Sequence, residues 1–140
     1  MAVTKMGFEG LIYYGTAGST AATQIGNSRD INETYETEDG ETTVRGTSAI
    51  PIGTFRVTCL NYSLEWTMLN KSSDTTLTAL KAAAATGAPV AIRTVDHSGN
   101  TGFDGDMIVK MTKGKPLKGE QTIQFSGLPN DDNRTPLLNA

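Results

Sequence analysis

Few residues of this 140-residue chain have the types and spacing that chemistry requires. His97 is the single histidine, set in a polar run with Asp96, Ser98, Gly99 and Asn100. A Ser–His–Asp arrangement needs a serine activated by that imidazole, and no Gly-x-Ser-x-Gly elbow occurs, so His97 reads as a loop residue. Asp96-x-Ser98-x-Asn100 copies the first ligand positions of a calcium loop. Thr101 then stands where the sharp turn requires glycine, and Met107 where a bidentate acid must close the site. Asp104 and Asp106 read as a solvated acidic strand face. The run Gly15-Thr16-Ala17-Gly18-Ser19-Thr20 lacks the lysine of a phosphate-cradling loop. A lone Cys59 excludes an internal disulfide and cysteine metal clusters. Asn-x-Ser/Thr matches at Asn32, Asn61, Asn70 and Asn133 have no export signal to give them meaning. The residues point to no catalytic site, cofactor or metal, and the chain is not expected to be an enzyme.

The elements that would position a site are better marked. Phe8–Tyr14 is short, apolar and flanked by glycine, which predicts a strand; 15–28 reads as a loop. Over Arg29–Glu36, Ile31, Glu33 and Tyr35 alternate with Asp30, Asn32 and Thr34, and a second weak strand, Glu41–Arg45, follows the turn dipeptide Asp39-Gly40. The pair predicts a polar hairpin over about 29–46 with almost no core of its own, which needs a partner. Phe55, Val57 and Cys59, and then Leu64, Trp66 and Met68, alternate as half-buried antiparallel strands do. A helix is predicted over 75–86, capped by Ser73 or Asp74, stopped by Gly87 and Pro89, with Leu77, Leu80 and Ala84 on one face. Strands follow around Val90–Val95, Phe103–Met111 and Glu120–Ser126, and 127–140 reads as an extended tail. The expected core is Leu64, Trp66, Met68, Leu77, Leu80 and Val109. The fold class is therefore mostly β (α+β), in a single domain.

Composition narrows the classes further. Only 37% of residues are hydrophobic and 6% aromatic, with 15 glycines, a lean core that suits a β domain completed by copies of itself. The formal charge of −3 argues against gripping nucleic acid, which needs a basic patch. Met1–Gly10 has no apolar run, and Ala82–Ile92 is too short to cross a bilayer, so a cytosolically made protein with no membrane contact is expected. Charge is segregated, however. Asp30, Glu33, Glu36, Glu38, Asp39 and Glu41 crowd twelve residues, while Lys110, Lys113, Lys115 and Lys118 surround the later turn. These ten are the candidate contacts between copies, meeting head to tail and setting orientation rather than affinity.

Several stretches resemble bacteriophage tail tube proteins. They are Ser63-Leu64-Glu65-Trp66-Thr67, the helix Thr76-Leu77-Thr78-Ala79-Leu80-Lys81-Ala82, and Thr86-Gly87-Ala88-Pro89-Val90. Gly102-Phe103-Asp104-Gly105-Asp106-Met107 and Gly114-Lys115-Pro116-Leu117-Lys118-Gly119-Glu120 belong with them, and the likeness covers about Phe8 to Pro129. The resemblance implies a two-sheet β-sandwich, partly closed as a barrel, with a flanking helix and a projecting hairpin. It implies a virion tail subunit, made in the host bacterial cytoplasm. Its copies would form rings, usually hexameric, that stack into a hollow conduit for DNA ejection, with strands of neighbours joining in one inner barrel. Partners would be further copies, tail-tip, tape-measure and terminator proteins, a sheath in some tails, and DNA passing without specific binding. Two other readings stand beside it: a tube protein of a contractile injection system or phage-like bacteriocin, and a small carbohydrate-binding module, which would need exposed aromatic platforms.

Overall fold

The computed structural model describes residues 4–46, 50–97 and 102–138. Its strands are β1 (Leu11–Thr16), β2 (Thr23–Gln24), β3 (Ser28–Glu41), β4 (Phe55–Leu69), β5 (Val90–Val95), β6 (Phe103–Gly114), β7 (Thr122–Asn130) and β8 (Leu137–Leu138), with one helix, α1 (Thr75–Thr86). Local chemistry sets the helix ends as expected. The Asp74 carboxylate accepts from the Leu77 N–H at 3.2 Å. At the other end Gly87, at φ 77°, returns its N–H to the Ala83 carbonyl at 2.8 Å. Leu77, Leu80 and Ala83 are the buried face, with Ala84 at its margin. No helix among the described residues is long and apolar enough to cross a membrane.

All strand pairs are antiparallel, in the order β2-β1-β5-β6-β7-β4-β3, with β8 beside β6. The two layers of the expected sandwich are thus parts of one sheet, curled so that β3 approaches β5. Although three strands separate β3 from β5 in that order, the Glu33 carboxylate on β3 accepts from Thr94 Oγ1 on β5 and from Tyr62 Oη on β4, both at 2.5 Å. The Tyr62 ring stacks on Phe103 of β6 at 4.5 Å, and its burial and then its bond to Glu33 push its phenol above the ordinary range. The barrel stays open at a seam beside these residues, a cleft of about 1030 Å³ between 5–12 and 24–33. Inside, Leu64, Trp66, Met68, Leu77, Leu80 and Val109 are all buried in one cluster with Ile12, Ile92, Met107, Ile123 and Phe125. Trp66, 1% exposed, stacks on Phe125 at 5.4 Å.

Several boundaries differ from the sequence reading. Phe8 lies in a 3₁₀ turn, Gly7–Glu9, and is exposed, so β1 begins only at Leu11. The segment 15–28, read as a loop, carries β2 and buries Ala21 and Ile25. Asp39-Gly40 is not a turn. β3 runs straight through it, and the hairpin is the longer one between β3 and β4, closed by Thr42 and Thr54, whose backbone bond is 2.8 Å. The two strands expected on either side of Asn61-Tyr62 are one, β4. At the C-terminus, 127–130 belongs to β7 and β8 pairs with Phe103 and Asp104, so the expected tail is in part sheet.

Candidate assembly interface

The β3–β4 hairpin leaves the barrel as an arm. The first seven residues of β4, Phe55–Asn61, are exposed, as is β3 beyond Glu33 apart from Gly40. The half-burial expected for Phe55, Val57 and Cys59 is therefore absent, because no second layer covers them in the single subunit. Its register explains the arm's character. Glu38 faces Cys59 and Asp39 faces Val57, so Thr58 is an extra residue, a β-bulge. A Cβ on Gly40 would lie 2.9 Å from the Thr58 methyl, which is why a glycine stands opposite the bulge. A one-residue insertion swaps the two faces of the strand. Beyond it Phe55 and Val57 take the side that Leu60, Tyr62, Leu64 and Trp66 hold before it. The core face thus runs out along the arm uncovered, with Phe55 67% and Val57 57% exposed, and Ile52 in the connection 80% exposed. The connection's residues 47–49 lie outside the described residues.

On the arm's other face Glu38 accepts from the Cys59 thiol at 3.2 Å. That bond, with a further one from Asn61, holds the Glu38 carboxyl below its usual range, and the same bond holds the Cys59 thiol above its own. Of the ten charges expected to meet other copies, Asp30, Glu36, Glu38, Asp39, Glu41 and all four lysines are exposed. Glu33 is the exception, since its carboxylate is engaged inside the subunit by Tyr62 and Thr94.

The layer β3-β4-β7-β6 has two unpaired backbone edges. Among the described residues β3 pairs only with β4. β6 pairs with β5 at Asp104–Met107, so 108–114 has β7 on one side and, among the described residues, no strand on the other. The acids lie on the first of these edge strands, while Lys110 and Lys113 lie on the second, a placement that sequence spacing does not reveal.

A further cluster was misread as solvated. Asp106 is fully buried, and Arg134, whose side chain is 17% exposed, reaches back from the C-terminal segment to it. Arg134 Nε donates to Asp106 Oδ1 at 3.0 Å, its Nη1 lies 3.0 Å from Asp104 Oδ1, and the Gly18 N–H donates to Asp106 Oδ2 at 2.9 Å. Burial opposes the guanidinium charge, yet the two carboxylates outweigh it and hold its pKa above the usual value. Pro136 lies over Gly105, where a Cβ would come within 3.0 Å of it. Of the calcium-like run, Ser98, Asn100 and Thr101 lie outside the described residues. Among the described residues no group of acids, His or Cys gathers as metal ligands do. Trp66, in the core, offers no platform for a sugar.

No family model matches the sequence, and no curated protein is similar to it. Solved structures are. A chain in the tail of an empty gene transfer agent particle, computed with C6 symmetry, superposes with a TM-score of 0.75 at 14% identity, covering 98% of this chain and 100% of that one. This chain has the fold of that gene transfer agent tail chain. A chain of the native gene transfer agent virion shares it with a TM-score of 0.73, 12% identity, and 98% and 100% coverage. So does a chain in the sixfold-symmetrised baseplate of the anti-feeding prophage, with a TM-score of 0.57, 9% identity, and 94% and 95% coverage. The shared fold spans at least 94% of each chain.

Proposed function

We propose that this chain is a structural, non-catalytic subunit of a phage-like tail tube, its copies closing into rings that stack into a hollow conduit for DNA. The observation that carries this reading is the layer with two unpaired edges. Free edges invite another strand, and a closed ring of copies removes them. In the order β3-β4-β7-β6 directions alternate, so β6 of one copy meets β3 of the next antiparallel, and the pattern repeats without conflict around a head-to-tail ring. The same junction sets Lys110 and Lys113 beside the acids of β3. The arm then has a task, stacking its apolar face on a neighbouring ring. The sixfold symmetry of the solved tail supports six copies per ring. Tail-tip, tape-measure and terminator proteins would meet the ends of such a tube, in the virion. A tube in a contractile injection system, with a sheath around it, is the second reading, favoured by the likeness to the anti-feeding prophage chain.

Charge exchange tests the junction. Lys110→Glu with Lys113→Glu, or Glu36→Lys with Glu38→Lys, is expected to reduce assembly at low ionic strength, and the four changes together to restore it. Sedimentation velocity reads the outcome. The effect should fade with added salt, since the Debye length is about 10 Å at 0.1 M. Parent-like assembly of both charge-reversed pairs at low salt would remove the β6–β3 junction from the account.

A further inference from the structure

The seam in the barrel is bordered by strand edges. β2 and β3 are the two end strands of the sheet, and Gln24 of the first and 28–33 of the second line the same cleft of about 1030 Å³. Pairing of 108–114 of β6 with the acids Glu36 and Glu38 occupies only the arm half of β3, which is 14 residues long, so 28–33 is left over. The cleft is apolar in part, with Ile12 and Ile25 buried in its wall, Ile31 half-buried and Phe8 82% exposed. Three carboxylates, Asp30, Glu33 and Asp96, line it with two cations. Lys5 Nζ pairs with Asp96 at 2.9 Å, and Arg29 Nη1 lies 3.8 Å from Glu120, an acid outside the cleft. Glu33 is held by two hydroxyls rather than by a cation. Uncompensated negative charge on Asp30 and Glu33 therefore sits beside an apolar wall.

We infer that this cleft is the seat for the arm tip of a second copy of the chain, in the next ring; the inference rests on the tube reading above. The tip, 42–54, has the complementary chemistry. Val44, Ile50 and Ile52 are 76–80% exposed, and Arg45, also exposed, is the only charged residue of the tip. Seating the tip covers those side chains against Phe8, Ile12, Ile25 and Ile31 and brings Arg45 to Asp30 and Glu33. The apolar contacts supply the affinity, and the exposed ion pair fixes the orientation. A copy's own tip does not reach its own cleft. β3 carries the cleft edge at one end and the arm at the other, and the ten residues from Ile31 to Glu41 span roughly 33 Å at about 3.3 Å per residue. Tip and cleft occur once per copy on opposite halves of one strand, so each copy gives one tip and receives one, as a head-to-tail stack requires. At about 1030 Å³ the cleft exceeds the usual range of about 300–1,000 Å³ for a small-molecule site and has room for a loop of several residues.

Cross-linking in assembled particles tests the seat. In a Cys59→Ser background, two double variants pair a tip position with a cleft position: Ile52→Cys with Phe8→Cys, and Val44→Cys with Met6→Cys. A short bismaleimide should convert tubes of either double variant into a ladder of covalent multimers on a denaturing gel, while tubes of each single variant give monomers only. Where a double variant stops at rings, its two single variants mixed into an excess of the Cys59→Ser parent give the same readout as covalent dimers. Tubes in which neither pair cross-links would overturn the seat and leave the tube reading standing. Cross-linking of Ile52→Cys or Val44→Cys alone would show that tips meet tips, and would overturn it too. A parent that forms neither ring nor tube would overturn the tube reading itself, and the seat with it.

Discussion

Arg134→Ala should destabilise the folded subunit by about 3–5 kcal/mol, the usual cost of leaving a buried charge without its partner. Asp106 has no exposed surface, and its carboxylate is compensated by the Arg134 guanidinium and the Gly18 N–H. Without the guanidinium, the amide bond alone faces the cost of a dry negative charge. The damage should spread, because Arg134 also ties the segment carrying β8 to β6, and Gly18 ties the β1–β2 connection to the same carboxylate. Urea unfolding followed by Trp66 fluorescence measures the loss. Replacing both partners, Arg134→Met with Asp106→Leu, should recover much of it, since an apolar pair of similar volume carries no desolvation penalty. A loss for Arg134→Ala below about 1 kcal/mol, the scale of an exposed ion pair, would show that the cluster is not buried as described.

The second large effect is on assembly rather than folding. Ile52→Ser, Phe55→Ser and Val57→Ser together should leave subunit stability nearly unchanged, because these side chains are 57–80% exposed in the single subunit. Fully burying such a side chain is worth about 1.5–3 kcal/mol. If a neighbouring ring covers all three, roughly 4 kcal/mol is lost per contact, and the critical concentration for tubes should rise on the order of 10²–10³-fold. Light scattering against concentration gives the critical value, and the urea midpoint gives the control. An unchanged critical concentration would mean that the arm's apolar face does not stack.

How far the sequence could carry these conclusions depends on the kind of interaction. Period-two alternation from Leu64 to Met68 placed the core side chains, and Asp74 with Gly87 bounded the helix, because both signals are local. The arm was half legible. Apolar residues in β4 recur every second position at Phe55 and Val57, then after a gap of three at Leu60, and again every second position through Met68. That single gap is the mark of the bulge at Thr58, and it argues for one long strand where two were expected. Asp39-Gly40 misled because a glycine facing a bulge and a glycine in a turn look the same along the chain. Asp106 and Arg134 are 28 residues apart, and nothing local distinguishes a buried acid from one on a solvated face. Glu33 was misassigned for a related reason, since only curling of the sheet brings Thr94 to it. The free edge of β6 follows from where β5 stops, a property of the topology alone.

Electron microscopy of the purified protein across a concentration series, with light scattering alongside, tests the central claim most directly. The account predicts rings or tubes of constant diameter with an open bore, sixfold when viewed down the axis. Discrete subunits at every concentration, or particles with no bore, would contradict it.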